Sequence, residues 1–154
     1  MDAIREVSTS IELEHVRVLI REYAASLDAD LCFQGFENEM ANLPGNYAPP
    51  RGCLLLAWHD DLPAGCVAMR ELTPEVAELK RLYVRSFARG FGLGRLLTER
   101  VIGAARQAGY RSIVLDTLAE MAHAQDLYGR LGFRSIEPYY DNPIPGARYL
   151  RLDL

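Results

Sequence analysis

Cysteine is scarce in this chain of 154 residues. Cys32, Cys53 and Cys66 are the whole set, an odd number with no short paired spacing. That excludes a disulfide framework and a cysteine-held zinc site, and it points to reduced thiols in a cytoplasmic protein. Histidine is equally thin. His15, His59 and His123 share no ligand spacing, so no metal site is expected. Basic charge is not in excess: 17 Lys and Arg stand against 21 Asp and Glu, for a net charge of −4 and a pI near 5.4. Duplex nucleic acid is therefore an unsuitable partner, whereas a cationic amine is a suitable one. No apolar run is long enough to span a bilayer, and Met1–Glu6 carries no long apolar region of the kind found in a signal peptide. Internal repeats and low-complexity tracts are absent.

What is present is an ordinary folding mixture, 49% apolar and 25% charged. Residues 1–154 are expected to form one domain, burying about 70% of the unfolded surface without cross-links. A short strand from Ile4 to Ser8 precedes a helix with Ile11, Val16, Leu19, Ile20 and Tyr23 inward, capped by Ser8, Thr9 or Ser10 and ending near Leu27. A second helix is expected from Phe33 to Leu43, before the prolines of the following loop. Gly52–Trp58 and Ala64–Leu72 read as a hairpin of buried strands. Ala77–Val84 is a central strand, and the helix that starts near Leu93 ends at Gly109. Tyr110–Asp116 has the unbroken apolar character of an interior parallel strand. A helix over Ala119–Leu131 and strands at Phe133–Ile136 and Tyr149–Leu152 close the order βααβββαβαββ. It suits an α/β fold, a mixed and strongly twisted sheet flanked by helices.

Between the central strand and the helix after it stands Arg89-Gly90-Phe91-Gly92-Leu93-Gly94. The first amides of a helix lack internal partners and carry the positive end of its dipole, and glycines let an anion come close to them. Taken alone, the residues read as a cradle for a phosphate or pyrophosphate. A Walker-type loop would need Lys and Ser or Thr where Arg95 and Leu96 stand, and the dinucleotide fingerprint would need a third glycine at Leu97. A kinase loop lacks its downstream partners. The pattern Arg-x-x-Gly-x-Gly, with Arg89, Gly92 and Gly94 in the fixed places, instead resembles motif A of the GCN5-related N-acetyltransferase (GNAT) superfamily. Ala77-Glu78 lies at the same distance from the loop as the glutamate of the histone-acetylating branch. Leu127-Tyr128-Gly129-Arg130-Leu131-Gly132-Phe133 is similar to the superfamily's Leu-Tyr-x-x-x-Gly-Phe motif B.

The resemblance implies that the fourth and fifth strands are parallel and splay apart. It also implies acetyl-CoA as cosubstrate, with its pyrophosphate on the loop residues Arg89, Gly90, Phe91, Gly92, Leu93, Gly94 and Arg95. The pantetheine arm would lie against Leu82, Tyr83 and Val84, near Ala124, and the amide of Leu82 would polarise the thioester carbonyl. For acyl transfer to an amine we assign Glu78 as general base, its pKa raised in a half-buried cleft, and Tyr128 as acid toward the departing sulfur. The plainer roles are pairing with Lys80 or Arg111 for Glu78 and helix-to-sheet packing for Tyr128. One departure from the family pattern is Met121, where many members carry asparagine.

Two variable segments shape the acceptor side in this fold. They contribute Asp28, Asp30, Phe33 and Glu37, then Tyr139, Tyr140, Asp141, Asn142 and Arg148. Their carboxylates and tyrosines would select a small amine or an amino-acid-like compound; solvated loop charges account for the same residues. The expected activity is N-acetyltransferase by direct attack in a ternary complex, and homodimers are common among proteins of this resemblance. Two other readings stay open: a non-catalytic acyl-CoA-binding sensor, and a peptide or protein N-acetyltransferase.

Overall fold

Leu54, Leu55 and Leu56 follow one another without a polar residue, and all three are buried, because their strand has helices on both faces. The computed structural model describes residues 3–27, 35–118 and 121–154. Along the chain it places β1 (Ala3–Glu6), α1 (Ser10–Ser26), α2 (Phe36–Ala41), β2 (Cys53–His59), β3 (Leu62–Thr73) and β4 (Val76–Val84). There follow α3 (Leu93–Gln107), β5 (Ser112–Thr117), α4 (Ala122–Arg130), β6 (Arg134–Ser135) and β7 (Arg148–Asp153). The described strands form a single mixed sheet in the order β1-β2-β3-β4-β5-β7-β6, antiparallel except for the β4–β5 pair.

One face of the sheet meets α3 and α4 through Leu79, Leu97, Val101, Ile113, Leu115 and Tyr128. The other meets α1 and α2 through Val16, Leu19, Ile20, Met40, Leu56 and Cys66. Each such buried aliphatic side chain contributes roughly 1.5–3 kcal/mol, so both layers are anchored. Cys53 and Cys66 are buried free thiols within these cores, in line with a filler role, while Cys32 lies outside the described residues. No helix among the described residues is long and apolar enough to cross a membrane.

The order of elements is the expected one, and the differences are local. β1 stops at Glu6 rather than Ser8, because the amides of Ser8 and Thr9 both donate to Glu12 Oε1 at 3.0 Å. Thr9 Oγ1 accepts in return from the Glu12 amide, a reciprocal cap that starts α1. Ile11, expected inward, is 70% exposed in that first turn. α2 ends at Ala41 rather than Leu43, since Asn42 already leaves helical backbone at φ −115° and ψ 14°; the expected start at Phe33 lies outside the described residues. α4 begins at Ala122, because Met121 before it is out of helical backbone at φ −95° and ψ 53°; the expected start at Ala119 lies outside the described residues. Short 3-10 turns occupy Gly45–Tyr47 and Ser86–Ala88.

The feature that positions the site is the limited extent of the parallel pair. β4 and β5 are in register only from Val76 to Glu78 and from Ser112 to Val114. Beyond Glu78 the strands part.

Candidate active site

The parting of β4 and β5 opens a cavity of about 700 Å³. Its walls are the second half of β4, the end of β5, the turn before α3, one side of α4 and the last turn of α1. Leu82, Tyr83 and Val84 line it, as do Arg89, Gly90, Gly92, Leu93, Gly94, Ala124 and Tyr128. Two residues expected at the loop do not. Phe91 faces solvent and stacks on His59 with ring centroids 4.5 Å apart, and Arg95 donates to Glu99 at 2.7 Å.

Gly90 and Gly92 hold φ of +88° and +81°, a region closed to most side chains, and Gly92 is the residue from which α3 departs. No side chain caps α3; its first internal bond is the Leu96 amide to the Gly92 carbonyl at 3.0 Å. The amides of Leu93, Gly94 and Arg95 thus stand at the positive end of a 15-residue helix. The Arg89 amide is less free than expected, since it donates to the Ser86 carbonyl at 3.3 Å. Its guanidinium ties the turn to β4 by a 3.0 Å bond from Nε to the Val84 carbonyl. A thin chain ending in a diphosphate fits this geometry, and the missing asparagine is replaced by the thioether of Met121 at the cavity wall.

β4 carries a bulge at the same place. Cys66 pairs with Tyr83 and Ala68 with Lys80, so Val67 alone stands opposite Arg81 and Leu82. Arg81 takes φ of +64°, a strained value for a residue with a side chain. Leu82 is thereby left out of the β3 register, and on its other side β5 has already turned away. What holds the bulge is a buried ion pair. Arg81 Nε and Nη2 donate to the two carboxylate oxygens of Glu39 on α2 at 3.0 and 2.7 Å, and Tyr47 donates to the same carboxylate at 3.0 Å.

Tyr128 has its ring in the core against Phe133 and lines the cavity. Among the described residues its hydroxyl has no hydrogen-bond partner, and burial pushes its pKa up, so it stays protonated. Glu78 is placed differently from the half-buried position expected. It is 1% exposed and stands behind the cavity wall. Arg70, not Lys80 or Arg111, is its chief partner: Nε and Nη2 both lie 2.8 Å from Oε1. The Tyr139 hydroxyl donates to Oε2 at 2.7 Å.

Asn142, expected on the acceptor side, and two residues not expected to line the site, Lys80 and Asp116, complete the wall. Lys80 and Asp116 line the cavity from the two parted strands, with Asn142 between β6 and β7. Tyr140 donates to Asp116 Oδ2, as does Asn142 Nδ2 at 2.8 Å. A second, more open hollow of about 530 Å³ shares Asn142 and Ile144 with the first and is walled by Tyr139, Tyr140 and Asp141. Of the other acceptor-side candidates, Glu37 is engaged at the surface with Arg21, and Asp28, Asp30 and Phe33 lie outside the described residues.

A family model described as the acetyltransferase (GNAT) family matches residues 18–133. An uncharacterized N-acetyltransferase of Schizosaccharomyces pombe is 41% identical over 154 residues, covering 99% of this chain and 94% of that protein. An N-acetylaspartate synthetase of Danio rerio is 34% identical over 110 residues, 70% of this chain and 39% of that protein. An acetyltransferase structure from Streptococcus agalactiae matches with a TM-score of 0.82 at 24% identity, covering 99% of this chain and 98% of the other. PaiA N-acetyltransferase from Thermoplasma acidophilum, solved in complex with coenzyme A, matches with a TM-score of 0.75 at 16% identity over 100% and 99%. These two likenesses are of fold.

Proposed function

Because the chain belongs to the GNAT acetyltransferase family and is an N-acetyltransferase, we propose that its donor is acetyl-CoA and its acceptor the primary amine of a small, amino-acid-like compound, joined by direct attack in a ternary complex. The observation that carries this reading is the parting of β4 from β5 beside a bulge that takes Leu82 out of register with β3. The solved relative with coenzyme A supports the donor, and the N-acetylaspartate synthetase supports an amino-acid-like acceptor.

Acetyl-CoA, when bound, supplies the acetyl group as a thioester. The turn from Gly90 to Arg95 offers amides and a helix dipole to a diphosphate. The backbone of Leu82, Tyr83 and Val84 offers donors and acceptors to an amide-bearing arm, and the Leu82 amide serves as the fixed donor for a carbonyl oxygen gaining charge. Tyr128, kept protonated by its burial, serves as the acid for a leaving sulfur. Glu78 serves as the base at second hand, its proton arriving through the Tyr139 hydroxyl that already bridges to it.

A screen of amines and amino acids with acetyl-CoA, read as free thiol, tests the activity. Turnover on at least one acceptor is expected. A thermal shift with coenzyme A but no thiol release on any acceptor would leave a binder and overturn the reading. The relay has its own test: Glu78→Gln and Tyr139→Phe should lower kcat alike, and the double variant no further. Multiplying effects would show that the two act separately.

A further inference from the structure

Lys80 and Asp116 occupy matching places on the parted strands. Glu78 and Val114 are the last residues in parallel register, and each of the two lies two residues farther on. Side chains alternate along a strand, so Lys80 shares the face of Glu78 and Asp116 the face of Val114, about 6.6 Å beyond the fork. Both line the cavity. Among the described residues they form no ion pair with each other, although Lys80 feels the charge of Asp116.

Each also has bonding capacity left over. Among the described residues the one ion-pair partner of Lys80 Nζ is the Glu78 carboxylate, at 3.9 Å, beyond hydrogen-bond reach, and that carboxylate is already held by Arg70 and Tyr139. The Lys80 side chain is only 12% exposed, and burial pushes its pKa down. On the cavity wall, the ammonium presents its three donors to whatever enters. Asp116 receives both of its protein donors, Tyr140 and Asn142, on Oδ2. Oδ1 accepts none among the described residues. One wall therefore offers a cation seeking acceptors, and the facing wall offers a carboxylate oxygen seeking a donor.

We propose that Lys80 and Asp116 together read a zwitterion: Lys80 takes the carboxylate of an amino-acid acceptor, and Asp116 takes its ammonium group. This rests on the acetyl-transfer reading above and narrows its acceptor to amines that carry a carboxylate. Tyr140 and Asn142 are positioning residues, fixing the Asp116 carboxylate so that its other oxygen stays open. A simple amine satisfies Asp116 and leaves Lys80 bare, so it is bound less well.

The test is calorimetry of the coenzyme A complex with a panel of L-amino acids, each set against the amine that lacks its carboxylate. Binding in this dead-end complex is read whether or not acetyl transfer occurs. The full chain should prefer at least one amino acid over its matched amine by about tenfold or more, the worth of a hydrogen bond to a charged group. Lys80→Met should collapse that ratio toward one, and Lys80→Arg should keep most of it. Asp116→Asn should weaken both members of the pair together. The assignment is overturned if no amino acid is preferred, or if Lys80→Met weakens both members equally. Preference in binding without turnover would instead remove the transferase reading and leave this site standing.

Discussion

Glu39 is far from the cavity mouth in sequence, yet its loss should reach the chemistry through Arg81. The Arg81 guanidinium is 3% exposed and has two hydrogen bonds to Glu39, with the Phe36 ring 5.6 Å from its central carbon. Glu39→Gln keeps the volume and removes the charge, leaving a buried cation with no counter-ion. Breaking a buried pair from one side costs about 3–5 kcal/mol. Against a total stability of about 5–15 kcal/mol the variant should still fold. At about 2–4 °C per kcal/mol for a chain of this size, the melting temperature should drop by about 6–20 °C. Arg81 also sits at φ of +64°, which costs an L residue about 1–2 kcal/mol and persists only because its side chain is tethered. Untethered, the bulge should relax toward regular strand, bringing Leu82 back into register with β3 and lowering kcat more than the affinity for coenzyme A. Adding Arg81→Gly to Glu39→Gln removes both the orphan charge and the strain, so the double variant should be more stable than Glu39→Gln alone. Urea unfolding at constant slope measures the free energies, and thiol release measures kcat. A loss under about 1 kcal/mol for Glu39→Gln would mean that the pair behaves as a surface ion pair and that something else sets the bulge.

Three further outcomes follow from the same geometry. Tyr128→Phe should lower kcat by about a hundredfold or more while coenzyme A affinity moves by less than about twofold; equal turnover in the two proteins would remove Tyr128 from the acid role. Gly92→Ala should cost about 1 kcal/mol, because φ there is +81°. Gly94→Ala, with negative φ and its nearest neighbours 3.9 Å from a built Cβ, should cost under about 0.5 kcal/mol yet weaken coenzyme A in calorimetry. Equal destabilisation by the two would refute the distinction. Burial pushes the Cys53 and Cys66 thiols up to about 11 and about 12, from an ordinary value of 9.0. The unfolded chain therefore releases these protons first, so their stabilisation is complete below about pH 9 and lost as pH rises through the folded values. Urea unfolding at pH 7.5 and pH 10 (round values, roughly bracketing the onset) should show a smaller drop for Cys66→Ala than for the unaltered chain. An equal drop would place the loss elsewhere.

The parts of this site that could be read in advance are those whose chemistry is local. Gly90 and Gly92 announce themselves because positive φ is a demand the residue itself must meet, and α3 because its apolar face recurs at the helical period within one segment. Tyr128 stood out through the seven-residue pattern around it. Glu78 was legible as a candidate but not as a neighbour of Arg70, since that contact depends on the β3–β4 register, in which Arg70 faces Glu78. Arg81 gave no local signal at all. An arginine in left-handed backbone is a tertiary effect, produced by a carboxylate 42 residues earlier. Lys80 and Asp116 were hidden for a related reason. Asp116 only looked like the end of an apolar run, and Lys80 like a charged position on an alternating strand. Their meaning comes from the point at which β4 and β5 stop pairing, because that point decides whether two facing polar residues meet across a ladder or across a gap. Had the register continued for two more residues, the same pair would have closed on itself as a cross-strand salt bridge. Parted, the two charges face one cavity from opposite strands instead of each other.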